Sequence, residues 1–248
     1  MTDMALFGAK RRAGEKEQAA DYPVISGMHY MDVLAGIEDR LAARWYLEIG
    51  SRTGTSLMPR KCGFVAIDPV FNLKSANFAS TGDMLFFRKT SDDFFAGRHL
   101  EQLGIVPDFA FIDGMHQFEF ALRDFINCEK AMNRRGVICL HDVCPFNGPM
   151  TTRDDSYLSR GTAWTGDIWK IVPVLRKYRP DLAVSVLPAA RTGLCCVTNL
   201  DPGNDTLVRH YDQILAEFVP QDLASLGPAH HYSSFSFVQA EAFLSTLS

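Results

Sequence analysis

The sequence predicts an α/β fold: a seven-stranded, mostly parallel sheet with helices on both faces and an antiparallel hairpin at its C-terminal end. Three observations carry this. Five short apolar runs recur between residues 45 and 142, separated by stretches long enough for a helix or a turn-rich crossover, the pattern of βαβ units. Two later apolar runs are joined only by "AART", which is hairpin spacing. The run Phe109–Ile112 is apolar at every position, as a strand covered on both faces must be.

The elements follow in order. Residues 1–27 form a polar N-terminal arm that carries "KRRAGEKE" and no apolar period. From Met28 to Ala43, Met31, Leu34, Ile37, Glu38 and Leu41 recur at helical steps. The five strands are "WYLEIG" (45–50), "GFVAID" (63–68), "MLFFRK" (84–89), "DFAFID" (108–113) and "GVICLHD" (136–142). Between the last two, Phe118, Leu122, Phe125, Ile126, Glu129 and Met132 mark one side of a helix that Gly136 stops. Pro, Gly, Asp and Ser then dominate to about Gly166, a long functional loop. A helix over "DIWKIVPVLRKYRP" holds Pro173 in its first turns or kinks there. "LAVSVLP" (182–188) and "GLCCVTN" (193–199) form the hairpin, and the tail 201–248 is helical around 204–218 and 237–247. The main domain spans 28–200.

Composition narrows the function. With 248 residues, 47% hydrophobic and 22% charged, the chain has the balance of a globular enzyme, not of a disordered segment. A formal charge of −4 argues against a general nucleic-acid binder. No stretch approaches the roughly 20 apolar residues of a membrane span, and the N-terminus lacks an apolar leader, so a cytoplasmic protein is expected. The six cysteines show no metal-site spacing and read as small buried hydrophobes. A homo-oligomer stays open.

The first site candidate is the turn in "LEIGSRTG" (47–54), where Gly50, Ser51 and Gly54 follow a strand and let a ligand approach the backbone. Glu48, inside that apolar strand, needs a partner. Asp68 ends the next strand, where a carboxylate can take both hydroxyls of a ribose. Arg52 stands where a dinucleotide motif would have its second glycine, so an adenosine ligand without a pyrophosphate fits better.

Together, "LEIGSRTGTS", "AIDP", the five parallel strands and the final hairpin resemble the Rossmann-like class I S-adenosylmethionine-dependent methyltransferases over about residues 28–200. The resemblance implies that Glu48, Gly50 and Gly54 line the methionine end of the cofactor and that Asp68 binds its ribose. It also implies that Ser91 and Asp92 in "TSDDF" touch the adenine; a helix cap with a first-turn acid is compatible with that role.

The second candidate lies at the ends of the fourth and fifth strands. Asp113 and Asp142 converge there if these strands are neighbours, and can share a hard divalent cation; the other reading has each acid cap a loop or helix. His116, three residues after Asp113, can take a proton from a bound hydroxyl. "FIDGMHQFEFALRDF" with "GVICLHDV" is similar to metal-dependent small-molecule O-methyltransferases, and especially to the macrocin O-methyltransferase-like branch that acts on sugar hydroxyls of natural products. That likeness implies Asp113 and Asp142 as ligands of Mg²⁺, Asp113 also beside the cofactor, and a basic residue near Asp113 as general base. Val143 stands where a further ligand is expected, leaving His141 or water to complete the shell. In "SRGTAWTGDIWK" (159–170), Trp164 and Trp169 either form a lid or pack the following helix.

The expectation is therefore methyl transfer from S-adenosylmethionine to a hydroxyl of a small molecule of sugar or natural-product type, assisted by Mg²⁺. The alternatives are a nicotinamide-dependent oxidoreductase and a non-catalytic module that binds S-adenosylmethionine.

Overall fold

The computed structural model describes residues 19–156 and 163–247. Its strands are β1 (Gly27–His29), β2 (Trp45–Ile49), β3 (Gly63–Ile67), β4 (Met84–Phe87), β5 (Phe109–Ile112), β6 (Val137–His141), β7 (Ala183–Leu187), β8 (Ala189–Ala190) and β9 (Leu194–Thr198). Seven of them pair in the order β4-β3-β2-β5-β6-β9-β7. All are parallel except β9, which runs against both β6 and β7. This is the expected Rossmann-like sheet, with its last hairpin folded so that the second strand inserts beside β6.

Each of the five apolar runs between residues 45 and 142 forms a strand that stops one or two residues before the run does. Gly50, Asp68, Asp113 and Asp142 therefore lie just past the strand ends, on the side where open α/β sheets bind ligands. The chain leaves β2 toward β3 and β4, then returns to place β5 on β2's other side. That reversal sets the turn at Gly50 directly beside Asp113.

Helices cover both faces because successive strand residues point to opposite sides. On one face Leu47, Ile49, Val65, Ala110, Ile112 and Leu140 pack under α4 (Phe118–Ala131) and α5 (Ile171–Tyr178). Pro173 falls in the first turn of α5, where its missing N–H costs no hydrogen bond. On α4, the expected position Glu129 is buried against Arg179, with N···O distances of 2.6 and 2.8 Å. On the other face Tyr46, Phe64, Phe109, Phe111 and Cys139 pack against Val33, Leu34 and Ile37 of α1 (Tyr30–Leu41). The cysteines are all free thiols, five of them buried.

The tail does not stand apart from the main domain. Its helices at Thr206–Arg209, Tyr211–Phe218, Leu223–Leu226, Pro228–Ser233 and Ala240–Ser245 include two beyond the expected ranges. Leu207, Ile214 and Phe218 join the first core, and Ala240, Phe243 and Leu247 the second. The arm from Ala19 onward is likewise docked: Tyr22 and Ile25 are buried and the Ala19 N–H donates to Phe146 O. Residues 1–18, with the basic cluster, lie outside the described residues. A small parallel pair, β1 with β8, was not legible in the sequence.

Candidate active site

The turn after β2 is built on two glycines with positive φ, Gly50 at +92° and Gly54 at +69°. At Gly50 the reason is contact: a Cβ there would sit 2.1 Å from the Asp113 carbonyl oxygen, so the turn lies directly on the start of the second site. Asp68 fastens the turn to β3, its carboxylate accepting the Arg52 N–H at 2.8 Å and the Val70 N–H at 2.7 Å. Each oxygen keeps a second lone pair. The buried Glu48 finds its partners locally, accepting from Tyr46 Oη at 2.6 Å and Ser56 Oγ at 2.7 Å. Burial raises its carboxyl to about 7, against the pull of those hydrogen bonds. Ser51 is buried beside it, its hydroxyl 3.4 Å from Glu48 O.

Ser91 and Asp92 open helix α2 (Ser91–Ala96), but the cap is Thr90, whose Oγ1 accepts the Asp93 N–H. Asp92 takes a two-pronged contact from Arg123 at 2.9 and 2.8 Å.

β5 and β6 are neighbours in register, Ile112 opposite Leu140, so Asp113 and His141–Asp142 emerge side by side. Asp113, His141 and Asp142 each offer a ligand atom, and these atoms lie within 4.8 Å of one another. His141 Nδ1 is 3.2 Å from Asp113 Oδ1 and 3.3 Å from Asp142 Oδ1. His116 faces the same acids: Nε2 is 3.3 Å from Asp113 Oδ1 and Nδ1 is 3.3 Å from Asp142 Oδ2. Burial opposes charge on Asp113, His116 and His141, and the cross-attraction outweighs it. Asp113 is held well below the usual carboxylate range by His141 and His116. His116 is lifted to about 9, chiefly by Asp113 and Asp142, and His141 is raised by the same two acids.

The donor set fits a divalent cation. Two carboxylates with one imidazole suit Mn²⁺ and other borderline metals as well as Mg²⁺. His141 Nδ1 faces carboxylate oxygens, which only accept, so it carries a hydrogen in the metal-free protein, and Nε2 is buried with no hydrogen-bond partner among the described residues.

The loop after β6 folds back over His116. Trp164 stacks on the imidazole with centroids 5.0 Å apart, and its indole N–H donates to Thr152 O at 2.7 Å. His116 Nδ1 lies 2.8 Å from Trp164 O. A carbonyl only accepts, so Nδ1 carries the hydrogen and Nε2 is the basic nitrogen of the neutral ring. Asp167 anchors this arrangement: its N–H donates to His116 O, and its carboxylate accepts from Phe118 N, Arg153 and Lys170 at 2.7, 2.6 and 2.8 Å. Trp164 thus belongs to the site and Trp169 to a core cluster with Tyr22 and Leu223. Residues 159–162 of the expected lid lie outside the described residues.

Sequence reasoning missed Tyr30. Its ring lies 4.3 Å from that of His141 and stacks on Phe111 at 5.7 Å. Burial first, then the Asp113, Glu48 and Asp142 carboxylates, raise its phenol. The only signal was an aromatic residue at the very start of a helix.

Residues 47–143 match a family described as a methyltransferase domain. No curated protein matches the chain. The chain is similar to the O-methyltransferase TomG of Streptomyces achromogenes, involved in tomaymycin synthesis and solved with S-adenosylmethionine, at 16% identity and TM-score 0.43 over 68% of this chain and 79% of that one. It is similar to an O-methyltransferase of Bacillus cereus in complex with S-adenosylhomocysteine, at 14% identity and TM-score 0.45, covering 80% and 92%. A methyltransferase of Podospora anserina bound to S-adenosylhomocysteine shows 16% identity and TM-score 0.44 over 69% and 77%.

Proposed function

We propose, from the match of residues 47–143 to a methyltransferase-domain family, that the chain transfers the methyl group of S-adenosylmethionine to a hydroxyl of a small molecule, of sugar or natural-product type, aided by a divalent cation. The observation that carries this reading is the cluster of Asp113, His141 and Asp142, with His116 on both acids, beside the Gly50–Gly54 turn. In this reading the turn takes the methionine end of the cofactor. Glu48, seated by Tyr46 and Ser56, faces its ammonium group, Asp68 takes the ribose hydroxyls, and Ser91 and Asp92 lie at the adenine.

Asp113, His141 and Asp142 would hold the cation, Mg²⁺ or Mn²⁺, which would supply Lewis acidity that makes a hydroxyl easier to deprotonate. His116 takes the hydroxyl proton on Nε2, while Nδ1–H stays on Trp164 O. The acceptor oxygen then attacks the methyl carbon in line with the C–S bond, and the sulfur leaves as the neutral thioether. Trp164, stacked on His116, keeps water off the imidazole.

Calorimetry with S-adenosylhomocysteine tests the cofactor assignment. Wild-type protein should bind it, and Asp68→Ala should weaken binding by about 1.5–3 kcal/mol through lost charge-assisted hydrogen bonds. An unchanged dissociation constant removes Asp68 from the ribose site.

A further inference from the structure

Beside the cation cluster lies a cavity of about 270 Å³, bordered by Tyr30, Phe146, Trp164, Asp142 and Arg191. We infer that this cavity selects an acceptor made of a single hydroxylated ring bearing a carboxylate, with the hydroxyl at Asp142 and the carboxylate on Arg191. The inference rests on the functional reading above and specifies its substrate.

Size comes first. Cavities that enclose drug-sized ligands run from about 300 to 1,000 Å³, and about 270 Å³ matches a single ring. Its flat walls, Tyr30, Phe146 and Trp164, suit the face of an aromatic ring or the C–H face of a sugar. Charge comes second. Among the described lining residues Arg191 supplies the guanidinium, while Asp142 and His141 belong to the cation cluster. The Arg191 guanidinium lies over the buried Phe146 ring, 5.8 Å from its centroid, a contact that steadies it for charge-assisted hydrogen bonding to a carboxylate. His29 adds no competing charge: burial lowers its pKa, and its Nδ1 accepts the Met31 N–H.

Position comes third. Arg191 directly follows β8, and His29 and Tyr30 stand at the end of β1, so the β1–β8 pairing ties the charged wall to the aromatic one. The segment is pinned further by Gly193 N–H on Ala189 O at 2.9 Å and Cys144 N–H on Thr192 O at 2.7 Å. This short pairing extends no part of the main sheet, and setting the width of the cavity gives it a role.

The test is calorimetry on the full chain saturated with S-adenosylhomocysteine and Mg²⁺, using two matched pairs: 3,4-dihydroxybenzoate with its methyl ester, and glucuronate with its methyl ester. At least one acid should bind tenfold or more tighter than its ester, and the pair that does so tells an aromatic from a sugar ring. Arg191→Gln should erase that difference by weakening the acid alone, and Arg191→Lys should restore part of it. Affinity for S-adenosylhomocysteine should not change in either variant. The inference is overturned if both acids match their esters, if neither acid binds while S-adenosylhomocysteine does, or if Arg191→Gln leaves the acid's affinity intact. Failure of wild-type protein to bind S-adenosylhomocysteine removes the underlying functional reading, and this inference with it.

Discussion

Gly166 lies so close to His116 that a Cβ on it would sit 1.6 Å from the His116 carbonyl oxygen. Its φ of +53° is a further reason for glycine. The loop that carries Trp164 can therefore reach His116 only because this position has no side chain. Gly166→Ala should push the two backbones apart. A displacement near 1 Å at a reacting group costs about 10²-fold in rate, so kcat should fall by that order while S-adenosylhomocysteine affinity holds. Unchanged kcat would show that the loop does not seat His116.

His116→Gln should lower turnover by about 10²–10⁴-fold, the usual contribution of a positioned base. The acids lift the wild-type imidazole to about 9, so in metal-free protein it should lose its proton near that pH in an NMR titration. Mg²⁺ neutralises those acids and should move the transition down, toward the unperturbed value near 6.5. Intact turnover in the variant would assign His116 a structural place instead.

Asp142 has φ +61°, a conformation that asparagine adopts readily, so Asp142→Asn keeps both size and backbone. The lost charge should weaken Mn²⁺ binding by about tenfold or more, with cofactor affinity largely kept. Chelator should abolish wild-type methyl transfer. Full activity in excess chelator would return Asp113 and Asp142 to the role of loop caps.

His231 gives the fold an acid limit. It is buried among Trp169, Tyr232 and Phe235, and burial lowers its pKa to about 4. The unfolded chain takes up this proton near pH 6.5 and the folded chain only near 4, so protonation favours unfolding between those values. Stability should therefore fall by about 3 kcal/mol as pH drops through that window. Urea unfolding at pH 7.5 and 4.5 measures it. His231→Phe should show a smaller loss than wild type; equal losses would place the acid sensitivity elsewhere.

Local pattern sufficed for the seven strands of the main sheet, for the glycine turn and for the acids past the strand ends. Apolar runs, breakers and caps act over a few residues, and a buried run such as Phe109–Ile112 admits few other readings. Asp113, His116 and Asp142 were legible for the same reason: polar residues at the end of a buried strand stand out against it. Glu48's need for a partner was equally plain, since an apolar strand offers a carboxylate no solvent.

Only tertiary structure decided what those residues meet. Asp113 and His141 come together across 28 positions because β5 and β6 pair, and His116 and Trp164 across 48 because the loop after β6 folds back. Tyr30 enters the site from a helix whose sequence pattern speaks only for its buried stripe. The tail lost its separateness when Phe218 and Phe243 entered the two cores. In each case the free energy comes from apolar surface and hydrogen bonds shared between distant segments. Periodicity within one segment records which of its faces is buried, and holds no record of which partner buries it.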